Sequence, residues 1–140
     1  YLNILNMKIT ILIGLFICHF LADYTHLSTS WMLNAKRLGK PMFPIFCHAL
    51  VHSTLMWVFI NIYFYIHIEN YNMFDSEYMT ADLLFLFQLI THFLIDVWKG
   101  RMNNWFPSLQ SPTNKWHWIV FGFDQLLHST VIIIMSYFIN

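Results

Sequence analysis

Four stretches of this chain, at about 4–24, 44–67, 78–98 and 117–139, are apolar on every side. Each has the roughly 20 residues an α-helix needs to cross about 30 Å of hydrocarbon. A soluble helical domain would set apolar stripes against charged faces and carry roughly 25% charged residues. Here 10% are charged and 58% hydrophobic. The expected fold is an all-α membrane protein: one domain over residues 1–140, a four-transmembrane-helix up-down-up-down bundle. Pro41 and Pro44 suit the start of the second helix, Ser76 or Thr80 the cap of the third, and Gly100 the end of the third. Met7-Lys8 before Ile9 to Ile17 has the look of a signal peptide, but no small-x-small site follows and the apolar run continues into His19 and Asp23. That stretch is expected to remain as a span, with Met7 a candidate initiator after residues 1–6.

The connections set the orientation. Lys36, Arg37 and Lys40 lie in the first, Lys99, Arg101 and Lys115 in the third, and the second carries Glu69, Asp75 and Glu77 with no basic residue. Six of the seven Lys and Arg residues thus share one side, and Lys8 dissents. The positive-inside rule assigns that side to the cytoplasm, so an inner (cytoplasmic) membrane protein with both termini outside is expected. Trp31, Trp98, Trp105, Trp116 and Trp118 gather towards the same side and read as an interfacial anchor. Net charge is zero and no basic run alternates with polar residues, so no nucleic-acid partner is expected. Cys18 and Cys47 match no metal or redox spacing and read as packing residues.

Each apolar segment holds one pair of ionisable residues four apart: His19/Asp23, His48/His52, His92/Asp96 and Asp124/His128. That spacing puts both side chains on one helical face, a turn apart. The pairs fall late in helices 1 and 3 and early in helices 2 and 4, which in an up-down bundle is one depth near the basic side. The halves also repeat. His19 to Asp23 parallels His92 to Asp96, and His48 to Thr54 parallels Asp124 to Thr130, as a helical hairpin duplicated over about 9–67 and 81–139 would give. A local hydrogen bond explains any single pair. Three carboxylates inside spans, at roughly 2.5–3.5 kcal/mol each on insertion scales, need shared partners.

The expected partner is metal. His19, Asp23, His48, His52, His92, Asp96, Asp124 and His128 offer imidazole and carboxylate ligands, which suit zinc first and iron or manganese next, and no thiolate set is present. Eight ligands are too many for one tetrahedral ion and fit two, as in soluble four-helix di-metal proteins. Such a centre activates water near neutral pH and clamps an attacked phosphoryl or acyl oxygen, with Asp23, Asp96 or Asp124 able to double as general base. A metal-free polar network is the competing reading of the cluster. His117, seven residues before Asp124, reads as interfacial or substrate-facing, and Lys99 as an anchor or a headgroup contact. His26 and His67 read as surface histidines, Gly122 as a packing position, and Ser53 and Ser129 as helix-bonded, with no nucleophile motif around them.

His19-Phe-Leu-Ala-Asp23 followed by Trp31-Met32, then His48-Ala-Leu-Val-His52, Thr91-His92-Phe-Leu-Ile-Asp96 with Lys99, and Asp124-Gln-Leu-Leu-His128 resemble a family of small bacterial and phage membrane proteins grouped as a domain of unknown function. A more distant similarity is to membrane-bound metal-dependent hydrolases, which implies a hydrolase by analogy. The leading expectation is a metal-dependent, two-metal hydrolase at the cytoplasmic interface, acting on a lipid-like phospho- or acyl-ester. The alternative is a non-catalytic, metal-stabilised subunit or binding module of a larger membrane assembly or homo-oligomer. A proton or ion pathway is disfavoured because the polar groups share one level.

Overall fold

The apolar segments form long helices. The computed structural model describes residues 2–67 and 76–139, with side chains over 8–67 and 79–139. All regular structure among them is helical: α1 (Leu2–Tyr24), α2 (Ser30–Leu38), α3 (Met42–His67), α4 (Ser76–Trp105) and α5 (Lys115–Phe138), with a 3-10 turn at Pro107–Gln110. By length and composition, α3, α4 from Met79 and α5 suit a membrane crossing. Their environment agrees. Ile13, Phe20, Tyr65, Leu83, Leu94 and Leu126 are more than half exposed, while histidines and aspartates are buried, the inverse of a water-soluble surface.

The four long helices pack in a ring, α3 on α1 and α4, and α5 on α4 and α1. Along this ring the interior is layered. Ile11, Leu15, Met56, Ile60, Ile132 and Met135 fill one apolar layer. A polar layer follows, and beyond it Ala35, Ile45 and Val97, packed by Phe93, seat α2 against α3 and α4.

Three expectations need correction at the α2 end. The first connection is not simply loop: Thr29 Oγ1 accepts a hydrogen bond from Met32 N, and Gly39, at φ 64°, ends the helix between them. Gly100 does not end the third helix, which runs on to Trp105. A Cβ at Gly100 would collide with the Gly39 backbone and the Lys36 carbonyl, so its lack of a side chain lets α2 reach α4. Gly122 is exposed and a Cβ there would meet nothing, so no close approach depends on it.

The helix starts otherwise sit close to the signals read for them. α3 begins between Pro41 and Pro44, and α4 begins at Ser76, which leaves Thr80 inside the helix. Cys18 and Cys47 are free thiols, the first buried and the second half-buried. The acidic connection with Glu69 and Asp75, and the side chains of Met7 and Glu77, fall outside the described residues.

Candidate metal centre

The polar layer gathers all eight paired residues. His48, His52, His92, Asp96 and Asp124 have no exposed surface, His128 and His19 almost none, and Asp23 is half-buried. The rings of His52 and His92 lie 3.9 Å apart, His92 and His128 4.4 Å, and His19 and His52 4.7 Å. Side chains late in α1 and α4 thus meet side chains early in α3 and α5. Four-residue spacing on each helix made that possible, since both members of a pair face the same way.

Within the layer the ligand atoms form compact groups. Asp23, His48 and His52 make one, Asp96, Asp124 and His128 another, with His19, His52 and His92, and His48, His92 and Asp96, linking them. His48 Nε2 is 3.2 Å and His52 Nε2 3.4 Å from Asp23 Oδ1. In the second group His128 Nε2 is 3.7 Å from Asp96 Oδ1, and His92 Nε2 is 3.3 Å from Asp96 Oδ2.

Outer contacts fix which ring nitrogen faces inward. Ser28 Oγ donates to the Ala22 carbonyl at 2.6 Å, so at 2.9 Å from His48 it accepts from Nδ1–H. The His128 Nδ1–H donates to the Asp124 carbonyl at 2.9 Å. Both imidazoles therefore turn an unprotonated Nε2 towards the layer, the tautomer a metal ligand requires, held by the partner type that ligand histidines use. On α4 the Gln88 Nε2 amide lies 3.4 Å from His92 Nδ1 and donates to it, which puts the His92 ring proton on Nε2, the opposite tautomer to His48 and His128.

Many inward atoms make no hydrogen bond: both ring nitrogens of His19 and His52, Nε2 of His92 and His128, Asp124 Oδ1, and both Asp96 oxygens, whose neighbours Lys36 and His92 are charge partners only. Each buried polar atom left so costs about 1–3 kcal/mol. A donor set of nitrogens and carboxylate oxygens, buried, oriented and unsatisfied, fits a transition-metal ion.

Two lysines join the layer. Lys36 Nζ from α2 is 3.1 Å from Asp23 Oδ1, 3.2 Å from Asp96 Oδ1 and 3.1 Å from His48 Nε2. Burial works against its charge, but Asp96, Asp23 and Asp124 outweigh that and raise its pKa above the ordinary lysine value. Lys99 Nζ donates to Asp124 Oδ2 at 2.6 Å, and Gln125 Nε2 reaches the same oxygen at 3.1 Å.

The sequence reading missed Ser28, Gln88 and the role of Lys36. Gln88 carried a signal, being one turn before His92 in an apolar helix. Lys36 carried none, because its partners are remote in the chain. His117 stays out of the cluster, donating from Nδ1 to the Leu109 carbonyl at 2.6 Å, and His26 and His67 are exposed. Ser53 is helix-bonded to the Ala49 carbonyl at 2.8 Å.

No curated protein and no solved structure matches this chain. Residues 11–140, which contain every member of the cluster, match the family described as protein of unknown function (DUF3307), and the chain belongs to that family.

Proposed function

We propose that the chain is a membrane-embedded, metal-dependent hydrolase of four spanning helices whose substrate is an amphiphilic ester. One observation carries the reading. The candidate ligands include two groups that share no residue, Asp23/His48/His52 and Asp96/Asp124/His128. Each group comes from one half of the chain, which supports both a duplicated hairpin and two ions, zinc first and iron or manganese next. His19 and His92 complete the two fours. A bound divalent ion would supply Lewis-acid polarisation and a water acidic enough to act near neutral pH.

The residues divide the remaining work. Ser28, Gln88 and the Asp124 carbonyl orient imidazoles, and Lys99 with Gln125 holds one Asp124 oxygen so that the other faces the layer. Of the three carboxylates, Asp23 is the partly exposed one and is best placed to exchange a proton as general base. The basic end takes the cytoplasmic side under the positive-inside rule, with the termini outside and the substrate arriving from the lipid.

Near-complete burial of the other seven ligands favours a second reading, a metal-stabilised subunit of a larger assembly. Metal analysis of the purified full chain beside His52→Ala and Asp124→Ala tests the site. About two equivalents in the parent and a clear loss in each variant is expected, and no bound metal, or unchanged content, sinks both readings. Metal-dependent cleavage of an alkyl p-nitrophenyl phosphodiester or ester in micelles, lost on chelation and restored by added zinc, separates enzyme from subunit. Tightly held metal without turnover of either ester favours the subunit.

A further inference from the structure

Lys36 and Lys99 reach the carboxylates from a cavity of about 290 Å³ that they line with Arg37, Asn103 and His117. Its wall carries three cationic side chains and no carboxylate. Across Val120, which lines both, lies a second cavity of about 540 Å³ whose walls include Trp98, Phe106, Trp116, Ile119 and Phe123, with Ser108 its one polar residue. Each volume suits part of a small molecule. A cationic chamber beside an apolar one, with Val120 in the wall of both, matches a ligand that is anionic at one end and hydrocarbon at the other.

We propose that these adjoining cavities bind a phosphate-bearing lipid, its phosphate among Lys36, Arg37 and Lys99 and its chain along Trp98, Trp116 and Phe123. Phosphate is favoured over carboxylate because it carries more negative charge and three acceptor oxygens for three cationic side chains. Charge accounting inside the cluster points the same way. Lys36 pairs with Asp23 and Asp96, and Lys99 with Asp124. Divalent ions on those carboxylates would leave both ammoniums needing an anion, and the cavity is where both are presented. The assignment rests on the hydrolase reading for its meaning, since it makes the substrate a phosphoester with the phosphate beside the ligands, but binding itself requires no turnover.

The test is equilibrium binding of radiolabelled dodecyl phosphate to the full chain in non-ionic detergent, with zinc and with chelator, against dodecanol and inorganic phosphate as competitors. Saturable one-to-one binding that neither competitor displaces is expected. It should weaken at least tenfold in Arg37→Glu, an exposed position away from the ligands, and in Ile119→Trp, which narrows the apolar cavity. Zinc is expected to tighten binding by freeing both ammoniums, and binding no tighter in protein that has taken up zinc overturns the placement of the phosphate beside the lysines. Absence of saturable binding in both conditions, equal competition by dodecanol or by inorganic phosphate, or unchanged affinity in both variants overturns the proposal even if the protein binds metal and cleaves esters.

Discussion

The bundle holds two layers that are equally buried and opposite in chemistry. In the apolar layer Leu15, Met56, Ile132 and Met135 are wholly inaccessible, as His48, His52, His92, Asp96 and Asp124 are in the polar layer. In a bilayer the apolar layer gains little from burial as such, because lipid tails are as apolar as Leu and Ile, so its contribution is packing. The polar layer has everything at stake: its groups are costly in hydrocarbon unless partnered, and several are oriented without hydrogen bonds. The layers should therefore fail differently, the first losing a few contacts and the second losing the state of the molecule.

The sharpest break comes from Asp96, which lies near Lys36, His48, His92 and His128. Asp96→Ala strands those partners and is expected to cost about 3–5 kcal/mol, the range for removing one member of a buried charged set. Reversible unfolding in mixed micelles measures it. A cost comparable to that of a conservative change in the apolar layer would erase the distinction between the layers.

Chelation comes next in size. With free metal 100-fold above Kd, withdrawing it is expected to cost about 2.7 kcal/mol. The drop should appear in the parent chain and shrink in Asp96→Ala, which keeps the Asp23, His48 and His52 group but loses the Asp96, Asp124 and His128 one. An unfolding midpoint indifferent to chelator and to added zinc would mean that the polar layer stands as a hydrogen-bond network.

The eight cluster residues were legible in the sequence because ionisable groups in apolar helices stand out, and i, i+4 spacing fixes their common face. The end of the bundle that seats α2 was much less so. Residues 25–43 lack a long apolar period, and the cap signals at Thr29 and Gly39 bracket only nine residues. Gly100 misled for a physical reason: a glycine after a helical run is read as a stop, yet the same missing side chain serves where two backbones must touch. Lys36 looked like an orientation charge because nothing local distinguishes a lysine that folds back onto Asp23, 13 residues earlier.

That contact between α2 and α4 carries the third prediction. Gly100→Ala would push a methyl group into the Gly39 backbone, and no flexible side-chain end is there to yield. Overpacking of this kind costs about 1–3 kcal/mol. Because Asn103 Nδ2 also donates to the Arg37 carbonyl across the same joint at 3.3 Å, α2 should shift as a unit and carry Lys36 away from Asp23 and Asp96. Unchanged stability and an unchanged protection pattern over residues 30–38 in hydrogen exchange would show that α2 is seated by other contacts.

The smallest effect belongs to the apolar layer. Ile60, 1% exposed among Met56, Phe64 and the α5 residues, can lose one methyl group in Ile60→Val without leaving any polar atom unpaired. The general range for this change is about 0.5–1.5 kcal/mol, and the low end is expected here because a bilayer supplies no penalty for apolar surface, leaving only lost dispersion contacts. Metal content per folded molecule should stay at the parent value, since the change alters no ligand and no partner of a ligand. If Ile60→Val instead released metal, the two layers would be one cooperative unit, and the apolar packing would be setting ligand geometry as well as shape.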